Sequence, residues 1–151
     1  MNLFKATRKI VYSQTVNGSP QEVWSRFIDF VWKRGAGLKP SIKLEKNGQT
    51  NGVGCTRCIP LFKNTVIREK IITADYPCRL YYRVENPSWM TFPVIFHIGW
   101  IDFISLGSDS TKVVWTIELI PKPFMELFLR GVMNLMIPLY LRLLARESAQ
   151  K

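Results

Sequence analysis

Six short segments in the middle of the chain have the composition of β-strands, and turns of a few residues separate them. The segments are rich in β-branched and aromatic residues, whereas the turns hold Gly, Pro, Asn and Asp. Turns this short join antiparallel neighbours, because a parallel pair needs a crossover of about a dozen residues or more. The predicted strands of this antiparallel meander cover residues 41–46, 53–59, 66–73, 79–85, 94–106 and 111–120.

One strand and one helix precede the meander. Alternating apolar residues predict the strand over residues 9–16. Ser19, Pro20 and Glu22 then form a capping-box signature, in which the serine caps a helix, the proline takes its first position and the glutamate reaches back to the cap. Apolar residues at helical spacing continue this helix to Gly35, where it is predicted to end.

A long helix is predicted over residues 124–149, with a bend at Pro138. One narrow side of it is polar and the opposite half is apolar, as packing on a sheet requires. Ile137, Leu141 and Leu144 fall outside the main apolar face, which indicates an additional apolar contact with a ligand, a partner chain or a membrane. The main apolar face comprises Phe128, Val132, Met133, Leu135, Met136, Leu139, Tyr140 and Leu143.

The order of these elements predicts one α+β domain over residues 1–151. The seven strands would form a strongly curved antiparallel sheet, and the C-terminal helix is the only predicted element large enough to fill its concave face. This helix is not expected to span a membrane. Arg130 and Arg142 interrupt it, and each central arginine costs roughly 2.5–3.5 kcal/mol on insertion.

Five short motifs follow one another in order between residues 13 and 147. They are S-P-Q-E-V-W at 19–24, G-V-G-C-T-R at 52–57, I-R-E-K-I at 67–71, P-C-R-L-Y-Y at 77–82 and T-K-V-V-W at 111–115. In this order and spacing the chain resembles the START-like helix-grip superfamily (SRPBCC). The resemblance is to its group of polyketide cyclases, dehydrases and lipid-transport proteins in particular.

The resemblance implies a helix-grip fold, in which a strongly curved seven-stranded sheet wraps around the long C-terminal helix and leaves a cavity for an apolar ligand. Members of the superfamily include lipid carriers, hormone receptors and aromatic cyclases, so the fold alone does not decide the function. The chain departs from the pattern at residues 35–40, which leave little room for the second short helix common in the superfamily.

The predicted ligand contacts lie on the central strands and on the apolar face of the long helix. His97 is the only histidine and lies among apolar residues, where it can be a core residue, a ligand contact or an acid–base group. Methionines and a tyrosine on the helix suit an adaptable cavity wall. The predicted ligand-binding residues are Tyr82, His97, Trp115, Ile117, Phe128, Val132, Met136 and Leu139.

Large apolar residues also occur in or beside turns, where polar residues usually predominate. In an antiparallel meander, the ends of the third, fifth and seventh strands share one rim of the sheet. These residues therefore either pack over the open end of the sheet or form a cavity mouth that docks on an anionic membrane. The predicted mouth residues are Phe62, Trp89, Met90 and Phe124.

Cys55 and Cys58 have the spacing of some metal and redox sites. On a strand, residues three apart point to opposite faces, so the two thiols would diverge. The chain has three cysteines, an odd number that does not indicate a disulfide framework. We interpret Cys55 and Cys58 as buried small residues and all three cysteines as reduced thiols, and we expect neither a metal nor a cofactor.

Three carboxylates lie on predicted strands, and each could orient a bound polar group. Ion pairs with strand neighbours such as Arg68, Arg83 or Lys112 are the simpler expectation. The carboxylates are Glu69, Asp102 and Glu118.

The net charge of +10 comes from 21 Lys and Arg against 11 Asp and Glu. The excess falls on residues 1–83, whereas the second half is neutral and apolar. No basic helix and no basic–aromatic stacking motif accompanies it, which argues against nucleic acid as a partner. The charge is better interpreted as a solvated surface that favours an anionic membrane near the mouth. Since the N-terminus lacks an apolar secretory segment, we expect the protein in the cytoplasm, with peripheral membrane contact left open.

These features favour the binding or transport of a hydrophobic small molecule, such as a lipid, a sterol or an isoprenoid, in a cavity between sheet and helix. No catalytic residue is assigned. One alternative is an enzyme like the polyketide cyclases and dehydratases, with His97 and either Tyr82 or Glu118 as acid–base groups. The other is a membrane-surface interaction domain without a cavity.

Overall fold

The computed structural model describes residues 7–38, 42–62, 65–85 and 94–150. Helix α1 (Pro20–Arg26) continues as a π-helix (Phe27–Trp32), and helix α2 spans Glu126–Ala149. The strands are β1 (Arg8–Asn17), β2 (Lys43–Lys46), β3 (Thr56–Phe62), β4 (Thr65–Asp75), β5 (Arg79–Val84), β6 (Val94–Gly107) and β7 (Ser110–Pro121).

The seven strands form one antiparallel sheet in the order β1-β7-β6-β5-β4-β3-β2. The predicted α+β fold and the meander are therefore confirmed, with the first strand added beside the last. β1 pairs with β7 over its whole length, from Arg8 opposite Leu119 to Asn17 opposite Ser110. β1 and β2 are the two edges of the sheet, which does not close into a barrel.

The capping box at the start of α1 is present as predicted. The backbone N–H of Glu22 donates to Oγ of Ser19 at 3.3 Å, and the N–H of Ser19 donates to Oε2 of Glu22 at 2.8 Å. The helix does not stay α-helical to Gly35, because its second half widens into the π-helix. A three-residue 3-10 turn follows at Gly35–Gly37, within the region 35–40 that was expected to leave little room for a second short helix.

Helix α2 packs on the concave face of the sheet through a face that only partly coincides with the predicted one, because Met133, Met136 and Tyr140 face the core as predicted. Leu141 and Leu144 are buried in the core, so their assignment to an additional contact was wrong, whereas Ile137 lines the cavity, where a ligand contact stays a prediction. Leu135, which was assigned to the packed face, is 68% exposed. Apolar residues surround more than half of this helix, so periodicity alone could not identify the buried side.

The same helix is long and apolar enough in composition to cross a bilayer. Its buried face nevertheless packs into the core of the domain, as the core helix of a globular protein does. The apolar residues left over from this packing are solvent-exposed, with Leu127 at 85% and Phe124, just before the helix, at 103% exposure.

The three cysteines lie in three different environments. Cys55 is buried in the core, as predicted, and burial raises the pKa of its thiol. Cys58 is only partly buried and lies 3.6 Å from Oε2 of Glu45, and Cys78 is exposed. The prediction that Cys55 and Cys58 are both buried was therefore wrong for Cys58.

Candidate functional site

A cavity of about 200 Å³ lies between the concave face of the sheet and α2. Strands β3 to β7 supply one wall and α2 supplies the other. The lining residues are Arg57, Ile59, Ile67, Glu69, Tyr82, Val94, His97, Trp115, Ile117, Phe128, Leu129, Val132, Met133, Met136, Ile137 and Tyr140.

The predicted ligand contacts meet in this cavity, with one exception. Leu139 is partly buried but does not line the cavity. The others do so together: Tyr82, His97, Trp115, Ile117, Phe128, Val132 and Met136.

The predicted mouth residues are only partly described. Phe124 is fully exposed beside the start of α2. Phe128 lines the cavity and is still 44% exposed, which places it where the cavity reaches the surface. Trp89, Met90 and the side chain of Phe62 lie outside the described residues.

Tyr82 connects two other aromatic residues of the cavity by hydrogen bonds. Nε1 of Trp115 donates to Oη of Tyr82 at 3.0 Å, and Oη lies 3.4 Å from Nε2 of His97. The ring of Tyr82 lies directly over Gly99, where a Cβ atom would come within 2.4–2.5 Å of the ring and hydroxyl atoms. The missing side chain at Gly99 therefore allows the position of Tyr82.

Burial keeps both titratable groups of this chain of hydrogen bonds neutral. Desolvation lowers the pKa of His97, and the negative charge of Glu69 opposes this shift. Desolvation also raises the pKa of Tyr82. Because the Tyr82 oxygen already accepts a hydrogen bond from Trp115, its proton can point to Nε2 of an imidazole protonated at Nδ1.

A buried ion pair supplies the charged part of the cavity wall. Nε of Arg57 donates to Oε2 of Glu69 at 2.7 Å, and the two residues lie opposite each other on β3 and β4. Nη1 of Arg57 also donates to the carbonyls of Val31 and Trp32, at 3.2 and 2.9 Å. The guanidinium thereby joins the sheet to the end of the π-helix, and its carbon lies 4.0 Å from the centre of the Trp32 ring.

The expectation that the carboxylates form ion pairs with strand neighbours is confirmed for Glu69, but its partner is Arg57 rather than Arg68, Arg83 or Lys112. Arg68 follows the opposite parity on β4 and pairs with Glu45 on the other face of the sheet. Asp102 likewise pairs with Arg79. Glu118 is absent from the cavity lining, because its neighbour Ile117 points into the cavity and adjacent strand residues alternate.

Five polar side chains of the lining interact electrostatically. The charge of Glu69 acts on Tyr82, His97 and Tyr140, and the charge of Arg57 acts on Tyr82 and Tyr140. We call Arg57, Glu69, Tyr82, His97 and Tyr140 the polar cluster of the cavity. Sequence reasoning missed Arg57, although its inward parity with Cys55, which was predicted to be buried, was a signal that could have found it.

The described residues contain no group of three or more His, Cys, Asp or Glu side chains arranged to hold a metal ion. What the cavity offers is a mostly apolar wall with a neutral imidazole, two phenols and a paired arginine. This combination can enclose an apolar body and hydrogen-bond one polar group.

Solved structures with the same fold align with almost the whole chain. Norcoclaurine synthase from Thalictrum flavum has a TM-score of 0.73 at 15% identity, over 97% of this chain and 88% of that one. A protein from Thermobifida fusca has a TM-score of 0.73 at 20% identity, over 94% and 93%. A protein from Nitrosospira multiformis has a TM-score of 0.65 at 23% identity, over 93% and 96%. At these identities the likeness concerns the fold.

A sequence comparison with curated proteins gives no match. The family model described as polyketide cyclase / dehydrase and lipid transport matches residues 7–148, nearly the full length. The family and the fold together support binding of a hydrophobic ligand in general. The chain therefore belongs to the polyketide cyclase / dehydrase and lipid transport family.

Proposed function

We propose that this protein binds or carries a hydrophobic small molecule, of the lipid, isoprenoid or sterol class, without converting it. The observation that carries the proposal is the cavity between the sheet and α2, whose wall is mainly aliphatic and aromatic. Tyr82, His97 and Trp115 would supply the polar and aromatic contacts. The ligand would lie with its apolar body against the α2 side chains that line the wall.

The size of the cavity narrows the ligand class. Its 200 Å³ exceed the ~150 Å³ of an apolar cavity that accepts benzene. They fall short of the ~300–1,000 Å³ of sites for drug-sized ligands. The cavity therefore fits a short isoprenoid, a monocyclic aromatic molecule or one end of a longer lipid, whereas a sterol would require α2 to move outward.

Apolar burial alone supports only weak binding of such a ligand. A body of about ten carbons gains roughly 8 kcal/mol at ~0.8 kcal/mol for each buried CH₂ group. Association costs at least ~4 kcal/mol. The remainder corresponds to a dissociation constant near ~1 mM, so tighter binding requires a polar contact in the cavity.

The decisive measurement is native mass spectrometry of the gently purified protein, compared with a variant whose cavity is filled. Val132→Trp places a large side chain in the cavity, and Leu135→Trp adds the same side chain on the exposed side of α2. We expect a defined organic ligand on the wild type and on Leu135→Trp, and none on folded Val132→Trp. Equal ligand content in all three would contradict binding in this cavity.

Ligand exchange is proposed to occur at an anionic membrane. Phe124, Leu127 and Leu135 expose apolar side chains beside the place where Phe128 reaches the surface, and Arg130 lies among them. Exposed apolar side chains can enter the headgroup region, and each nearby basic residue adds ~1 kcal/mol at an anionic surface.

Sedimentation with phosphatidylserine vesicles tests this membrane contact. Binding should weaken as salt rises and should fall in Leu127→Asp. The matched control is Leu106→Asp, which makes the same change at another exposed leucine, near the β6–β7 turn. Equal loss in both variants would indicate a general effect of net charge.

One observation favours a second function, that of a cyclase or dehydratase. His97 and Tyr82 meet in the cavity, where a neutral imidazole and a phenol could move a proton on a bound substrate. Glu118 cannot join them, because it is not part of the lining. If the wild type removes water from its bound ligand and His97→Gln does not, the enzyme is favoured; recovery of an unchanged ligand from both favours the carrier.

A further inference from the structure

The ion pair in the cavity is bonded through only one of its two possible contacts. Arg57 uses Nε for Glu69 and Nη1 for two backbone carbonyls, and Glu69 uses Oε2. Nη2 of Arg57 and Oε1 of Glu69 make no hydrogen bond with any described residue. Both side chains are deeply buried, at 1% and 6% exposure, and both line the cavity.

Neither Nη2 of Arg57 nor Oε1 of Glu69 is among the fully buried side-chain atoms of the described residues that have no hydrogen-bond partner, so both are accessible from the cavity, and a ligand there would exclude water from them. A polar atom that loses its water without gaining another partner carries a substantial desolvation cost. A ligand that occupies this part of the cavity would therefore be selected for its ability to satisfy one N–H donor and one carboxylate acceptor side by side. An arginine and a carboxylate often form two parallel hydrogen bonds, and here only one of the two is present. The two atoms without a partner, Nη2 and Oε1, therefore belong to side chains that are already in contact.

Few chemical groups satisfy a donor and an acceptor at once. A hydroxyl group can accept from the guanidinium with its lone pair and donate its proton to the carboxylate. A carboxylate would face Glu69 with a like charge, and an ammonium group would face Arg57 in the same way. A hydrocarbon would leave both protein atoms unpaired.

The rest of the polar cluster is neutral, which also disfavours a charged ligand. Arg57 and Glu69 balance each other, and burial lowers the pKa of His97 and raises that of Tyr140, so both remain uncharged. A charged ligand would bring a net charge into a mainly apolar enclosure, where it is poorly solvated. A neutral ligand avoids this cost.

We propose that the ligand is a compact alcohol or phenol whose hydroxyl group bridges Arg57 and Glu69, accepting from Nη2 and donating to Oε1. This inference rests on the proposed function and specifies its ligand class. The apolar body would extend along α2 toward Phe128, where the cavity reaches the surface. The hydroxyl group supplies the polar contact that apolar burial alone lacks.

Three probes of nearly equal shape test the proposal without altering the protein. They are 4-isopropylphenol, 4-isopropyltoluene and 4-isopropylbenzoate, which carry a hydroxyl, a methyl and a carboxylate group at the same position. Calorimetric titration gives the affinities, and the indole N–H signal of Trp115 in NMR spectra reports whether the cavity is occupied. We expect the phenol to bind roughly 10- to 100-fold more tightly than either other probe, the range for hydrogen bonds to charged groups.

A substitution sharpens the same test. Glu69→Gln removes one charge of the pair and leaves that of Arg57 unbalanced, so the carboxylate probe should gain affinity while the preference for the phenol over the hydrocarbon narrows. Glu45→Gln makes the same chemical change in the ion pair with Arg68 on the other face of the sheet and should alter neither. The probe series on the wild type stays decisive if Glu69→Gln does not fold.

The outcomes separate this inference from the proposed function. If the hydrocarbon or the carboxylate binds the wild type as tightly as the phenol, a cavity ligand remains but the hydroxyl bridge is wrong. If none of the three binds and native mass spectrometry finds no ligand, the proposed function fails and the hydroxyl bridge with it.

Discussion

The two faces of the sheet carry the same kinds of side chain in very different environments. Tyr82 and Trp115 face α2 and are buried, joined by a hydrogen bond of 3.0 Å. Tyr81 and Trp100 lie on the other face and are partly exposed, with their ring centres 6.2 Å apart. One step along a strand reverses the direction of a side chain, so neighbouring residues of the same type serve a cavity wall and an outer surface.

Two ion pairs on opposite faces of the sheet show the same contrast between a buried and an exposed environment. Arg57 and Glu69 are almost fully buried on the cavity side, whereas Arg68 and Glu45 are partly exposed on the other face. The two pairs have similar contact distances, 2.7 and 2.5 Å. Their consequences for stability should nevertheless differ, because water can replace a lost partner only at the exposed pair.

The largest expected difference between the faces follows from removing one arginine. Arg57→Met leaves the Glu69 carboxylate buried without its partner and the carbonyls of Val31 and Trp32 without their donor. We expect a loss of about 3–5 kcal/mol in the free energy of unfolding. Denaturant titration measures it.

Arg68→Met is the matched control on the other face and should cost only about 0–1 kcal/mol. Equal losses in Arg57→Met and Arg68→Met would show that burial does not distinguish the two pairs. A strong loss in the control alone would reverse the contrast.

The next effect tests how closely the cavity wall is packed. A methyl group at Gly99 would collide with the Tyr82 ring, so Gly99→Ala should cost about 1–3 kcal/mol and weaken ligand binding. Gly131→Ala adds the same group on exposed α2, where nothing lies within 4 Å, and should stabilise the helix by up to about 1 kcal/mol. If Gly99→Ala leaves the free energy of unfolding unchanged, the Tyr82 ring can move aside.

The sheet could be predicted from the sequence because its signals are local. Alternation of apolar residues, short turns and the capping box at Ser19 each act within a few residues, and together they specify an antiparallel meander. Tyr82 and Trp115 were predicted from the sequence to be ligand contacts on two of these strands, and both line the cavity. This reasoning needed no knowledge of distant contacts.

The face of α2 and the ion pair of the cavity could not be predicted in the same way. Ile137 and Leu135 are equally apolar, and only contact with the sheet decides that the first is buried and the second exposed. The partner of Glu69 depends on the register of β3 against β4, which sets Arg57 opposite it. Which residues lie opposite each other on two strands is determined by long-range pairing, and the local pattern of residues does not specify it.

The smallest expected effect is a pH dependence of the protein's stability, which comes from His97 in the cavity wall. The folded protein holds the pKa of His97 below its ordinary value of 6.5, because the partly buried imidazole is poorly solvated when charged. At a pH between the pKa of His97 in the folded protein and its pKa in the unfolded chain, the unfolded chain binds the proton more readily than the folded one. Stability should therefore fall as pH decreases through this window and be retained above it.

His97→Gln removes this contribution, and no other histidine in the chain can replace it. From about pH 8 to about pH 5.5, the wild type should lose more unfolding free energy than the variant, by ~1.4 kcal/mol for each unit of pKa difference spanned. Glu69 opposes the shift of the His97 pKa, so Glu69→Gln, if it folds, should steepen the pH dependence of stability. Parallel curves for wild type and His97→Gln would mean that the imidazole is solvated, and the cavity would then be open to water at this point.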